Sequence, residues 1–173
     1  MSAIKQKEQR VGVFVDVQNM YHSAKNIYKA RANFKAILDE AVGGRKLIRA
    51  IAYVIKTETG EESAFFEALT KAGYEMKVKD LQIFAGGMKK ADWDIGMAVD
   101  AHKLSASLDA VVLVTGDGDF VPLIEYLKNS VGVQVEVMAF GKSASGKLRE
   151  AADNFTDLGE NQREFLIRST KIR

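Results

Sequence analysis

Two unbroken apolar runs, each stopping at a carboxylate, set the narrowest limits on how this chain folds. Val11-Gly12-Val13-Phe14-Val15 runs into Asp16, and Ala110-Val111-Val112-Leu113-Val114 passes through Thr115-Gly116 to Asp117 and Asp119. A strand with one wet face alternates apolar and polar residues. A strand without polar positions is buried on both faces, as in parallel sheets covered by helices on each side. Acids at the ends of such strands meet in the crevice outside the carboxyl edge of an open sheet, where ligands of these folds bind. Carboxylates gathered there repel one another unless a divalent cation lies between them. The pattern implies metal-dependent chemistry on phosphate.

Strand and helix signals alternate along the whole chain. The spacing predicts strands at 11–16, 47–55, 75–84, 110–115 and 134–140, with a short edge strand at 155–158. Helices are predicted from residue 19 onward and over 34–42, 61–72, 93–105, 120–129 and 144–152, with Gly43-Gly44 and Gly73 as stop signals. Residues 85–90 read as a loop. This order gives one α/β domain, a three-layer α/β/α sandwich on a mainly parallel central sheet. Residues 1–9 read as an N-terminal extension, 10–158 as the domain, and 159–173 as a C-terminal tail or helix.

Composition removes several classes. Hydrophobic residues make up 47% of the 173 and there is a single proline, which excludes disorder. No apolar run approaches the ~20 residues of a membrane helix. The charged start of the chain is not a secretory signal. The absence of cysteine removes disulfides, zinc–thiolate sites and thiol catalysis, so a cytoplasmic location is expected. A net charge of +2 does not mark a nucleic-acid binder by itself. Position says more. Lys89 and Lys90 lead into an acidic helix, and Lys142 and Lys147 follow the last strong strand, which makes these four the candidate phosphate contacts.

Each acid also has a plain structural reading. Asp16 precedes a helix, but Asn19 is the better cap by position and frees Asp16 for the crevice. Asp119 is placed to cap the helix expected from Phe120, which leaves Asp117 without capping work. Two glycines around Asp117 allow a tight turn and leave room for a ligand. Asp92 is a natural cap, whereas Asp94 is one step inside the helix and reaches toward the strand ends. Asp100 is rotated ~120° from Asp94 and ~9 Å along the axis, so it is expected behind the site, not in it. His22 and His102 lack zinc-site spacing. All-oxygen ligands suit Mg²⁺ or Mn²⁺, which polarise a phosphoryl oxygen and steady the leaving oxygen.

Three segments in this order carry a resemblance. They are Val-Phe-Val-Asp-Val-Gln-Asn, Lys-Lys-Ala-Asp-Trp-Asp-Ile-Gly-Met-Ala-Val-Asp-Ala and Val-Thr-Gly-Asp-Gly-Asp-Phe-Val-Pro-Leu-Ile. A closing Gly-Lys-Ser-Ala-Ser and Leu-Arg-Glu-Ala-Ala-Asp-Asn-Phe follow. Together they resemble the NYN domain of the LabA-like group, within the PIN-like nuclease superfamily, over roughly residues 10–158. The resemblance implies a PIN-like sandwich and a metal-dependent ribonuclease with Asp16, Asp94, Asp117 and Asp119 as catalytic and metal-binding acids. Asn19, Asp100 and Thr115 would support them, and RNA would be the substrate.

Other readings compete. One is a non-catalytic RNA-binding or regulatory module that keeps the fold. A phosphatase whose first strand ends in Asp-x-Asp is weakened by Gln18 at the second acid position. A receiver-like phosphoacceptor would carry paired acids after the first strand, where this chain has Asp16 alone. Phe65-Phe66 and Phe165-Leu166-Ile167 mark a candidate homodimer surface, with core packing as the simpler reading.

Overall fold

In β1 (Arg10–Asp16), Val11, Val13 and Val15 enter one core while Phe14 enters another, and both cores are dry. The same division runs through β7 (Ala110–Val114), where Ala110, Val112 and Val114 face the first core and Val111 and Leu113 the second. Period-two alternation between two buried faces is the origin of the unbroken apolar runs. The computed structural model describes residues 4–169, apart from 58, 61, 84, 88 and 91 and the side chains of 82, 83, 89 and 90.

Six strands form a sheet in the order β4-β3-β1-β7-β8-β9, every neighbouring pair parallel. Here β3 is Lys46–Lys56, β4 is Glu75–Asp80, β8 is Gln134–Ala139 and β9 is Asn154–Asp157. The chain runs outward from β1 to β4, returns to the centre at β7, then runs outward the other way. Right-handed crossovers place the helices of two such halves on opposite faces. Accordingly α1 (Val17–Tyr28), α2 (Phe34–Val42) and α3 (Ser63–Ala72) pack on the first core. The second is covered by α4 (Asp94–Ser105), α5 (Val121–Tyr126) and α6 (Gly146–Ala151). The chain reverses direction between β1 and β7, so the crevice opens where Asp16 and Asp117 end their strands.

Four local readings are corrected by the structure. The third strand stops at Asp80, and the following β5 (Gln82–Ile83) instead pairs antiparallel with β6 (Lys89–Lys90) in a separate ribbon, within the segment read as loop. Its apolar residues do not alternate cleanly, which is why it cannot continue as one half-buried strand. The helix expected over 120–129 divides into a 3₁₀ turn at Gly118–Phe120, α5, and a π turn at Leu127–Val131. Leu127 O accepts both the Gly132 and Val133 N–H groups, widening that last turn. Finally, β2 (Arg31–Ala32) pairs antiparallel with β10 (Leu166–Ile167), which follows α7 (Gln162–Phe165). Phe165 and Leu166 are thereby buried in the first core, and Phe65 and Phe66 pack against it, so the core reading holds for four of the five apolar candidates.

Candidate metal centre

Each acid reaches the crevice through its own piece of local structure. α1 follows β1 with no intervening loop, so the cap position falls on Asp16, whose Oδ1 accepts the Asn19 N–H at 3.2 Å. This corrects the assignment of the cap to Asn19. Asn19 lies inside α1, and its Oδ1 accepts the Gly116 N–H at 2.9 Å, fixing the loop that carries Asp117. The second oxygen of Asp16 accepts from Thr115 Oγ1 at 3.2 Å, and that hydroxyl oxygen accepts the Asp117 N–H at 3.2 Å. Thr115 is fully buried, so its hydroxyl is a fixed bridge between the two strand ends.

Asp117 is also a cap. Its Oδ1 accepts the Asp119 N–H at 2.9 Å at the start of the 3₁₀ turn, two residues upstream of where the sequence places the helix cap. Neither Gly116 nor Gly118 has a positive φ. A Cβ on Gly116 would sit 3.2 Å from Ala144 Cα, and one on Gly118 would sit 2.8 Å from Ser145 Oγ. These glycines admit the loop before α6, not a ligand.

Asp94 is delivered by α4, whose first turn is held by the sheet. Trp93 Nε1 donates to Val54 O at 2.8 Å, and Lys79 Nζ donates to Asp92 O at 2.8 Å while lying 4.3 Å from the Trp93 ring centroid. The cap position of α4 falls on Trp93, not on Asp92 as the sequence suggests, although Asp92 Oδ1 still accepts the Asp94 N–H at 3.2 Å from one residue further out.

Carboxylate oxygens of Asp94, Asp117 and Asp119 consequently lie within 4.8 Å of one another. Asp16 stands outside that group yet adds to its field. Burial, then the Asp117 carboxylate, then Asp16 and Asp92 push the Asp94 carboxyl up to about 7. Asp16 is raised too, by burial first and by Asp117 and Asp92, against the hydrogen bonds from Asn19 and Thr115. Among the described residues no Lys or Arg forms an ion pair with any of these four acids. Three oxygen donors converging without a cationic partner fit a hard divalent cation.

Asp100 is turned elsewhere. Its Oδ2 accepts from Tyr53 OH at 2.8 Å and from Lys77 Nζ at 2.6 Å. Burial acts upward on Asp100, but these two partners hold it below the usual carboxylate range. The cleft over Asp16, Asp94 and Asp117 has a volume of about 460 Å³ and is also lined by Gln18, His22 and Ser143, to none of which the sequence gives a part in the site. His22 stands three residues after Asn19, a spacing that puts both on one side of α1. Lys142 and Lys147 are exposed and do not line the cleft. The side chains of Lys89 and Lys90 lie outside the described residues.

Comparison with known proteins agrees with this geometry. The low amplitude and bright protein LabA of Synechococcus elongatus is 26% identical over 87% of this chain and 84% of its own length. An uncharacterized protein of Methanocaldococcus jannaschii is 29% identical over 95% of this chain, which spans only 60% of that relative. A crystal structure of a protein of unknown function from Vibrio parahaemolyticus superposes with a TM-score of 0.85 at 28% identity, covering 95% of this chain and all of that one. The α/β/α sandwich on a parallel sheet is therefore shared. The model of the NYN domain matches residues 10–159, and the chain belongs to the NYN domain family.

Proposed function

We propose that this chain is a Mg²⁺- or Mn²⁺-dependent endoribonuclease acting on RNA in the cytoplasm. The observation that carries the reading is the convergence of Asp94, Asp117 and Asp119 within 4.8 Å at the crevice where the strand order reverses between β1 and β7. Membership of the NYN domain family supports RNA as the substrate.

In this reading Asp94, Asp117 and Asp119 would hold the cation. When bound, it would supply Lewis-acid polarisation of the scissile phosphodiester and neutralise developing charge. Burial and the neighbouring acids raise the Asp94 carboxyl to about 7, and a bound cation would favour its ionised form. Asp16 adds negative potential beside the three, held in place by the Asn19 N–H and the Thr115 hydroxyl. Asn19, through Gly116, and Thr115, through the Asp117 N–H, set where the Asp117 carboxylate points.

The test is incubation with end-labelled single-stranded RNA in Mn²⁺, Mg²⁺ or EDTA, beside Asp117→Asn and Asp16→Asn. Internal cuts that require the cation and fall by about a hundredfold or more in Asp117→Asn, equal to ~2.7 kcal/mol of barrier, are expected. Cleavage surviving in both folded variants would place the activity elsewhere. RNA binding without cleavage would favour a regulatory module.

A further inference from the structure

One turn beyond the acidic cleft, α1 borders a second depression of about 390 Å³. Asn26 lines both, so the two are contiguous. Their chemistry is opposite. The first is walled by Asp16, Asp92, Asp94 and Asp117. The second is lined by Lys25, Lys29 and Arg31 and by no carboxylate, with Tyr21 on one side and Ile167 of β10 on the other.

The aromatic is positioned as well as exposed. Tyr21 is 41% accessible, His22 meets its ring edge-on at 5.4 Å between centroids, and Lys25 Nζ lies 5.8 Å from its centre. Lys29 ends α1 in the left-handed region at φ 52, the one non-glycine residue there among those described. That turn sends the chain directly into β2 and sets Arg31 in the same depression as Lys25. Cations for phosphate and a ring for stacking, with Asn26 the one side-chain amide in the lining, suit a single strand bound with little sequence preference.

We propose that this strip of Tyr21, Lys25, Lys29 and Arg31 is the track that carries single-stranded RNA to or from the acidic cleft. The proposal rests on the ribonuclease reading and extends it to substrate form. From Asn19 to Lys29 the helix advances ~15 Å. That spans a short run of nucleotides from the edge of the cleft outward. Phosphates lie over the three cations, and one base stacks on Tyr21.

The test compares the wild type, a Lys25→Gln/Lys29→Gln/Arg31→Gln triple variant and Tyr21→Leu, all folded by circular dichroism. Anisotropy in EDTA measures binding of 5- and 12-nucleotide oligouridylates, and cleavage in Mn²⁺ is followed in parallel. The wild type is expected to prefer the longer RNA by about tenfold. The triple variant should lose that preference, and its slope of log affinity against log salt should fall by about 2, at ~0.7 per phosphate. Tyr21→Leu should weaken binding about fivefold. A wild type that binds and cuts RNA beside variants with unchanged affinity, length preference and salt slope would overturn the track alone. A wild type that neither binds nor cuts would overturn the ribonuclease reading, and the track with it.

Discussion

Two aspartates at opposite ends of one sheet sit in opposite electrostatic conditions. Asp109, just before β7, accepts from Arg10 Nε at 3.1 Å and from the Arg10 N–H at 2.8 Å, and these bonds hold its carboxyl at about 2. Asp94, beyond the other end of that sheet, has burial and three neighbouring acids around it and rises to about 7. Deeper at the amino end, Glu136 is buried but meets Arg45 with two bonds of 2.7 and 3.0 Å. Every buried charge there has a counter-charge supplied by the chain. At the carboxyl end the fold gathers Asp16, Asp94, Asp117 and Asp119 and, among the described residues, pairs none of them with a Lys or Arg. Structural carboxylates are answered from within, and those of the cleft are left for something from outside.

The largest effect should come from breaking the paired end. Arg45 also donates to Ala41 O at 2.8 Å and to Val42 O at 3.0 Å, so it ties the end of α2 to β8. Arg45→Met leaves Glu136 buried without a counter-charge, with only the Gln134 amide donating to it at 2.8 Å. A loss of ~3–5 kcal/mol is expected, readable by thermal denaturation as a fall of roughly 6 °C or more. Arg45→Met with Glu136→Leu should recover most of it, because removing both charges removes the desolvation cost with the attraction. A double variant as unstable as the single would mean that the backbone contacts of Arg45, not its pairing, hold this end.

The two ends also differ in how far the sequence exposes them. The acids of the cleft are legible because they interrupt apolar runs where a strand must stop, and β1, β7 and the start of α4 fall close to their expected positions. The Arg45–Glu136 pair is not legible. Its partners are 91 residues apart, and Glu136 looks like the polar step of an alternating strand. Caps fail for a related reason: whether Asp16 or Asn19 caps α1 depends on a loop of zero length, which no residue signals. Strand β2 is invisible because its partner, β10, lies at the other end of the chain and both contain two residues. Local rules read the middles of elements, and the misses fall at element ends and on pairings between distant residues.

Sharpening the unpaired end should give an intermediate effect. In metal-free buffer, Asp94 binds a proton in the folded state over a range where the unfolded chain, at about 3.9, has lost it. Wild-type stability therefore falls as pH rises from about 4 to about 7 on this account. Asp94→Asn removes that fall. It should be more stable than wild type at pH 8 by up to about 1 kcal/mol, discounted because Asp94 is only half-buried, with the difference vanishing below pH 4. Adding Mn²⁺ at a hundred times its dissociation constant should stabilise wild type by ~2.7 kcal/mol and the variant by much less. Melting curves over pH and cation concentration check both parts. Equal stabilisation of the two proteins by cation would separate Asp94 from the binding site.

The smallest effect, and the one that isolates the sign of the comparison, belongs to Asp109. It is exposed, so its pairing with Arg10 is largely screened by solvent. The folded value lies below the unfolded one, so its contribution is fully present above about pH 4 and is lost as pH falls toward 2. Asp109→Asn should leave stability above pH 5 slightly lowered and flatten the acid limb between about 4 and 2. Asp94→Asn should leave that limb untouched and flatten the window above it. Opposite slopes in neighbouring windows, from the same residue type at two ends of one sheet, are what an internally paired edge and an externally completed edge require. If both variants altered the same window, the two ends would share one electrostatic state, and the acids of the cleft would need no ligand to explain their placement.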